Sequence, residues 1–503
     1  MSEVTRKKIP TLSKSRFLAG LQCNKRLYFE CFRRDLADIM GSAKQAMFDA
    51  GAQVGQVARG IYPGGVLIGY DHFHHNDAVA STGTVLNNSS IPAIYEAGFE
   101  YDKVRTRVDI LARAGDGVFD LVEVKSNTKV SEEHLPDVGI QLYVLTGCGL
   151  ETRRVCIAHL NRDYVYPGGD YDLSRLFTEE DVSENVLQLQ SDIPRALQAM
   201  RLALASSDPP EIQVGRHCSK PYTCPFYDHC HSDEPQHHVS QLPRASDKLL
   251  MSLEEAGIDD IRDIPKGFQG LNALQQRVRD CVVNGQVHLN THLREELERL
   301  EYPIHFLDFE TFNPPLPLYL GTHPYDVIPF QWSVHTTDRD HNLRHDEFLH
   351  DGLDDPREML ARSLLQTLGT SGSIVAYSGF EEARIRELAN ALPQLSRDLL
   401  ALLGRRLVDL LPLVRANCYH PEFHGSFSLK SVLPAIVPDL GYNDLEIQDG
   451  ALASVAYAEM IQPHTQPERR KLLRKNLLEY CKRDTEAMVR MFDVLSSGRC
   501  GEC

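Results

Sequence analysis

The sequence predicts an α/β protein of more than one domain, and three observations carry that expectation. Its 503 residues exceed one ordinary core, since a domain takes roughly 100–200 residues. Strand-like runs alternate with helical ones on both sides of the middle of the chain. Between them, "HSDEPQHHVSQLPRAS" (231–246) is polar and rich in structure breakers, which marks a boundary. The expected division is a domain over 1–235, a helical linker over 236–300 and a second domain over 301–497.

Composition narrows the class. A hydrophobic share of 42 % and a charged share of 24 % belong to a folded globular chain. The most apolar stretch, "LLALLGRRLVDLLPLV", is interrupted by Arg405, Arg406 and Asp409, so no membrane span is expected. The start "MSEVTRKKIP" lacks a signal-peptide core, and a cytoplasmic location is expected. The net charge of −17 opposes indiscriminate polyanion binding. The first 34 residues run the other way, with Arg6, Lys7, Lys8, Lys14, Arg16, Lys25, Arg26, Arg33 and Arg34 against Glu3 and Glu30. Tyr28, Phe29 and Phe32 lie among these cations, a mixture that can track and stack a single strand of nucleic acid.

In the first domain, "KVRTRVDILARAGDGVFDLVEVKS" reads as two strands around a turn at Gly115, Asp116 and Gly117. A turn centred near residue 116 sets Asp109 opposite Glu123, and the strand period of two puts Lys125 on the face of Glu123. Opposed carboxylates destabilise a hairpin unless a cation neutralises them. A divalent ion there suits phosphodiester hydrolysis; the plainer alternative is an exposed strand ion pair. The helix "DVGIQLYVLTG" follows with Gln141 and Tyr143. Together these segments resemble the PD-(D/E)XK nuclease superfamily, in particular its RecB-like, CRISPR-adaptation branch. The resemblance implies that Asp109 and Glu123 bind metal, that Lys125 is the catalytic lysine, and that Gln141 and Tyr143 form the downstream motif. Glu96 is an additional candidate acid. One departure is Gly55, in the helix where many relatives carry a metal-binding histidine; His72, His74 and His75 come later, in a loop-like segment.

The chain has 12 cysteines. In "GRHCSKPYTCPFYDHC", Cys218, Cys224 and Cys230 offer three thiolates of a metal site, one short of a tetrahedral set. Cys31, Cys148, Cys156, Cys281, Cys418 and Cys481 are isolated and read as packing residues; the C-x-x-C of Cys500 and Cys503 reads as incidental. "TLSKSRFLAGLQCNKRLYFECF" is similar to the N-terminal part of the same nuclease branch, whose iron–sulfur members hold a 4Fe-4S cluster with one early and three late cysteines. That resemblance implies Cys23 as the fourth ligand, with zinc as the alternative metal.

The second domain begins with the apolar strand "IHFLDFET", which shows Asp308 and Glu310 on one face. Far downstream, "LLRKNLLEYCKRDTEAMVRMF" is helical, and Tyr480 and Asp484 at i, i+4 share a side of it. With "GSFSLKSVLPAI", these segments resemble DEDD exonucleases of the DnaQ, or ribonuclease H-like, fold, as in a nuclease domain of initially unknown function that bacteria fuse behind RecB-like modules. The resemblance implies Asp308, Glu310 and Asp484 as ligands of Mg2+ or Mn2+ and Tyr480 as a water-positioning residue. The middle acid is Glu381 or Asp409. The expected function is a metal-dependent nuclease acting on single-stranded or end-processed DNA; an RNA exonuclease and a nucleic-acid-binding scaffold with a degenerate site are the alternatives.

Overall fold

The computed structural model describes residues 9–39 and 41–498. Arg6, Lys7, Lys8, Cys500 and Cys503 lie outside the described residues. The chain is a mixed α/β protein of two compact units, one made of Met1–Asp233 with Pro314–Asp326, the other of Glu234–Asn313 with Val327–Cys503. Among the described residues, no helix is long and apolar enough to cross a membrane.

The first unit is built on a seven-stranded sheet. Its strands are β1 (Leu12–Ser13), β2 (Val66–Leu67), β3 (Ala93–Tyr101), β4 (Val104–Gly115), β5 (Val118–Lys125), β6 (Glu151–Leu160) and β7 (Phe177–Asp181). The order is β2-β3-β4-β5-β6-β7, with β1 also pairing to β4. Strand β6 shows why the sheet is covered on both faces. Val155 and Ile157 enter one core with Phe17, Leu27, Leu145 and Met200, while Cys156, Ala158 and Leu160 enter another with Val54, Ala58 and Tyr164. A strand with apolar residues on both faces needs a layer against each.

Residues 314–326 complete that second core, although the sequence reading set them inside the C-terminal domain. Leu316 packs among Tyr164, Leu176 and Phe177, and the backbone of Tyr166 exchanges hydrogen bonds of 2.9 Å with Thr322 and Gly321. Tyr171 donates to the Pro317 carbonyl at 3.1 Å. The run "PPLPLYLGTHPYD" is rich in proline, so it supplies apolar surface without a helix or ladder of its own.

The second unit carries a two-stranded ribbon of β8 (His288–Leu289) and β14 (Cys418–Tyr419). Its main sheet holds β9 (Ile304–Phe312), β10 (Ile328–Thr337), β11 (Leu343–Leu349), β12 (Ser373–Ala376) and β13 (Leu407–Asp409). The order is β11-β10-β9-β12-β13, antiparallel from β9 to β11 and parallel from β9 to β13. Leu307 and Phe309 on β9 point into a core with Trp332, Leu364 and Ile385. The opposite face receives the 31-residue helix Pro467–Ser497, where Phe492 packs edge-on to Phe306 at 5.6 Å. Leu473, Leu477, Tyr480, Cys481, Asp484 and Met488 recur at helical spacing along the buried side of that helix. Pro467 opens it and Gly498, at φ 73°, closes it in the left-handed conformation. The segment read as a linker is part of this unit and supplies the helices Asp247–Glu255, Ala273–Asn284 and Thr291–Leu297.

Leu316 is 9 % exposed and Leu320 is 72 % exposed. Leu316→Ala is expected to destabilise the first unit by about 2–4 kcal/mol, measured by denaturant unfolding, while Leu320→Ala leaves the transition in place.

Candidate functional sites

The first acid group forms where β4 and β5 run side by side. Ile110 pairs with Val122, so one step further Glu123 reaches the level of Asp109. A bulge between Arg113 and Gly115 takes up the odd residue of the turn. Asp109 Oδ2 accepts the Val124 N–H at 2.8 Å. Helix Leu135–Gly147 lies across the strand ends and brings in Asp137 and Gln141, both buried. Gln141 Nε2 donates to Glu123 Oε2 at 2.7 Å. Lys125 contacts Glu123 Oε1 at 2.8 Å and also bonds Asp137.

A second ammonium comes from Lys14, at the start of a helix capped by the Ser13 hydroxyl. It touches Glu123 at 2.9 Å and Asp137 at 3.1 Å. Burial opposes charge on Glu123, but the ammoniums of Lys125 and Lys14 outweigh it and hold this carboxyl below its usual range. At Asp109 burial together with the Glu123 charge outweighs the Lys14 ammonium and pushes the carboxyl up to about 8. This group therefore carries most of its counter-charge within the protein.

Of the other sequence candidates, Tyr143, His74 and His75 make their contacts outside this group, whereas the Glu96 charge acts on Asp109. Tyr143 is two residues from Gln141, about 200° around the helix, and donates to Asp102 at 3.1 Å. His75 is buried against the Phe99 carbonyl at 3.1 Å, and His74 meets Asp71. At Gly55, where relatives of the resembled branch have histidine, an added Cβ would touch nothing within 4 Å. Glu96 lies on β3 with φ 58°, in a conformation that non-glycine residues rarely adopt, and meets Arg59 at 3.4 Å.

The cysteines gather around one small cavity. Cys23 is the junction between helices Lys14–Gln22 and Asn24–Phe32. Cys218, Cys224 and Cys230 line the same space with Lys25, Arg26, Phe29 and His217, and no carboxylate does. Gln22 clamps the loop by donating to the His217 and Tyr222 carbonyls at 2.6 and 2.7 Å, and Phe29 packs on Phe226 at 5.3 Å. Burial raises the Cys224 and Cys230 thiols, while Arg26 and Lys25 favour their thiolates. Four sulfurs with two cations form a soft donor set suited to an anionic cluster.

The second acid group is differently balanced. Asp308 and Glu310 leave β9 on the side covered by helix Pro467–Ser497, and Asp484 faces them from that helix. Glu381 joins from the first turn of helix Phe380–Ala391. Glu310, Glu381 and Asp484 are buried and Asp308 is partly so. Lys430 answers Glu310 and Asp484, donating to Tyr480 at 3.1 Å and to the Gln448 carbonyl at 2.6 Å, while Arg384 acts on Glu381 and Arg483 on Asp484. Asp484 accepts hydrogen bonds from Tyr442 and Tyr480. Asp409, the rival middle acid, caps helix Leu410–Asn417 through Leu411 N–H at 2.9 Å. Burial and mutual repulsion hold Asp308 and Glu310 well above the usual carboxylate range. Burial pushes Glu381 to about 8 and Asp484 to about 6. Such a group is short of positive charge, the condition that a bound divalent cation relieves.

Residues 305–428 match a family described as a domain of unknown function (DUF2779). No curated protein matches the chain. Among solved structures, the chain is similar to a family B DNA polymerase from the hyperthermophilic archaeon Pyrobaculum calidifontis, at 18 % identity and a TM-score of 0.26 over 39 % of this chain. It spans only 26 % of that polymerase. A second match is SSO0001, at 12 % identity and a TM-score of 0.20, covering 39 % of this chain and 78 % of the other.

Sequence reasoning did not single out Lys14, Asp137, Lys430 or Tyr442 as site residues. Asp137 carried a signal, since it precedes Gln141 by one helical turn. Lys430 sits inside the quoted "GSFSLKSVLPAI" but nothing local marks its target. Because Glu381 and Asp484 have raised folded-state pKa values, their contribution to stability is full below the ordinary carboxylate range and is lost as pH rises, until Asp484 has ionised at about 6 and Glu381 at about 8. In chelator, thermal unfolding of the second unit is expected to move to lower temperature as pH rises from 5 to 8. Added Mn2+ should reverse the trend, and Glu381→Gln should flatten it.

Proposed function

We propose that the chain is a metal-dependent nuclease that hydrolyses phosphodiester bonds, with DNA as the favoured substrate and single-stranded or processed ends as its target. The observation that carries this reading is the second acid group: four carboxylates, three of them buried, converge beside a tyrosine bonded to the Lys430 ammonium. The sheet order β11-β10-β9-β12-β13 agrees with the ribonuclease H-like fold that the sequence resembles. Asp308, Glu310 and Asp484 would hold divalent cations, which when bound supply Lewis-acid activation of water and neutralise phosphate charge. Tyr480, fixed between Lys430 and Asp484, orients the attacking water through its hydroxyl. The Lys430 ammonium, bonded to that hydroxyl, would oppose the negative charge that develops on the phosphate.

The first acid group is read as a RecB-like PD-(D/E)XK site, with Asp109 and Glu123 as metal ligands and Lys125 beside them. The double ion pairing of Glu123 and Asp137 with Lys14 and Lys125 favours a second reading for this unit, a nucleic-acid-binding module with weak or no cleavage of its own. Cys23, Cys218, Cys224 and Cys230 are proposed to hold a 4Fe-4S cluster, closing a loop of nearly two hundred residues around Asp109, Glu123 and Lys125. A structural zinc ion is the alternative metal for the same four cysteines.

Anaerobically purified wild type, Glu123→Ala and Asp308→Ala should be compared on end-labelled DNA and RNA with Mg2+ or Mn2+. Asp308→Ala is expected to lose about 100-fold or more of the cleavage, since even outer-shell ligand changes cost about 10–100-fold. Absence of metal-dependent cleavage by wild type would rule the nuclease reading out, and degradation of RNA alone would reassign the substrate. Cys224→Ser is expected to lower iron content and the unfolding temperature together; unchanged iron would remove the cluster assignment.

A further inference from the structure

Cys481 lies inside the second acid group, although its isolation in the sequence reads as packing. Its side chain is fully buried, at 0 % exposure, and the thiol donates to Asp308 Oδ2 at 3.4 Å. With one oxygen each from Asp308 and Glu310, its sulfur forms a triangle whose corners all lie within 4.8 Å. The helix supplies the sulfur and the Asp484 carboxylate from i and i+3, so both face the same space. An independent observation points to a ligand there. Glu381 Oε2 is buried without a hydrogen-bond partner, and the Glu381 charge acts on Asp308 and Glu310.

A sulfur placed only for packing belongs among apolar neighbours. Here two carboxylates face it, which is a mixed donor set of one soft and several hard ligands. Mg2+ demands near-octahedral oxygen ligation and gains little from sulfur. Borderline cations such as ferrous iron, cobalt and zinc accept thiolate and carboxylate together.

We propose that Cys481 is a metal-selectivity residue of this site, a sulfur donor that favours a thiophilic divalent cation over Mg2+. The inference rests on the nuclease reading of the same acid group. On coordination the S–H bond breaks, the thiolate sulfur keeps the electron pair and binds the cation, and the proton passes to solvent. No electron transfer is involved.

The test uses the full-length protein with its other cysteines unchanged, and Cd2+ and Mg2+ as probes. Affinities are measured by calorimetry, and sulfur ligation by the ultraviolet thiolate-to-cadmium absorption, in wild type, Cys481→Ser and Cys481→Ala. The cysteine cluster contributes equally to all three and cancels in the differences. Both variants should lower the Cd2+/Mg2+ affinity ratio by about tenfold or more and lose one increment of the absorption. An unchanged ratio and spectrum in both variants would overturn the proposal. Asp308→Asn separates the two levels: if it leaves Mg2+ binding as in wild type, the nuclease reading of the site fails as well. If Mg2+ binding depends on Asp308 while the ratio ignores Cys481, only the selectivity role fails.

Discussion

The mutual repulsion of Asp308, Glu310, Glu381 and Asp484 is the interaction on which the second unit is organised. Each acid is fixed by a different element: β9 supplies two, the start of helix Phe380–Ala391 one and the long terminal helix one. Those elements are held by apolar packing on both faces of the sheet, with Leu307, Phe309 and Trp332 on one side and Phe306 against Phe492 on the other. Packing thus forces like charges together that would separate in water. The unit holds that unfavourable energy at one spot, and the proposed divalent cation would convert it into affinity.

The first unit meets the same difficulty by another route. There Lys14 and Lys125 share Glu123 and Asp137 in a compact lattice of two ammoniums and two carboxylates. Removing either lysine would strand a buried negative charge, so each is as necessary to the fold as the acids. Lys14 also begins the helix that ends at Cys23, which ties the acid group to the cysteine cavity through nine helical residues. Two chemically similar clusters in one chain therefore differ in balance: the second is poorer in buried positive charge than the first.

What could be read from the sequence follows from range. The facing of Asp109 and Glu123 depends on a turn and a period of two, both local, and so do the pairs Asp308 with Glu310 and Tyr480 with Asp484. The partners that set the charge balance do not depend on local pattern. Lys14 is 109 residues from Glu123, and Lys430 is 50 from Tyr480. Tyr143 shows another limit, because a motif fixes identity while the helical angle fixes direction, and that direction leads to Asp102. Residues 314–326 were illegible for a third reason: a proline-rich run looks like an exposed loop, and only the apolar gap beside Tyr164 and Leu176 makes it part of a core.

That run has a consequence in time. Residues up to Asp233 form nearly all of the first unit, yet its core is closed by Leu316, and Pro314 is the first residue of the piece that carries it. At about 5–20 residues per second of synthesis, the gap between the two pieces lasts roughly 4–16 s. Until Leu316 is made, its side chain is not available to the core around Tyr164, so completion of that core waits on the production of the chain that follows.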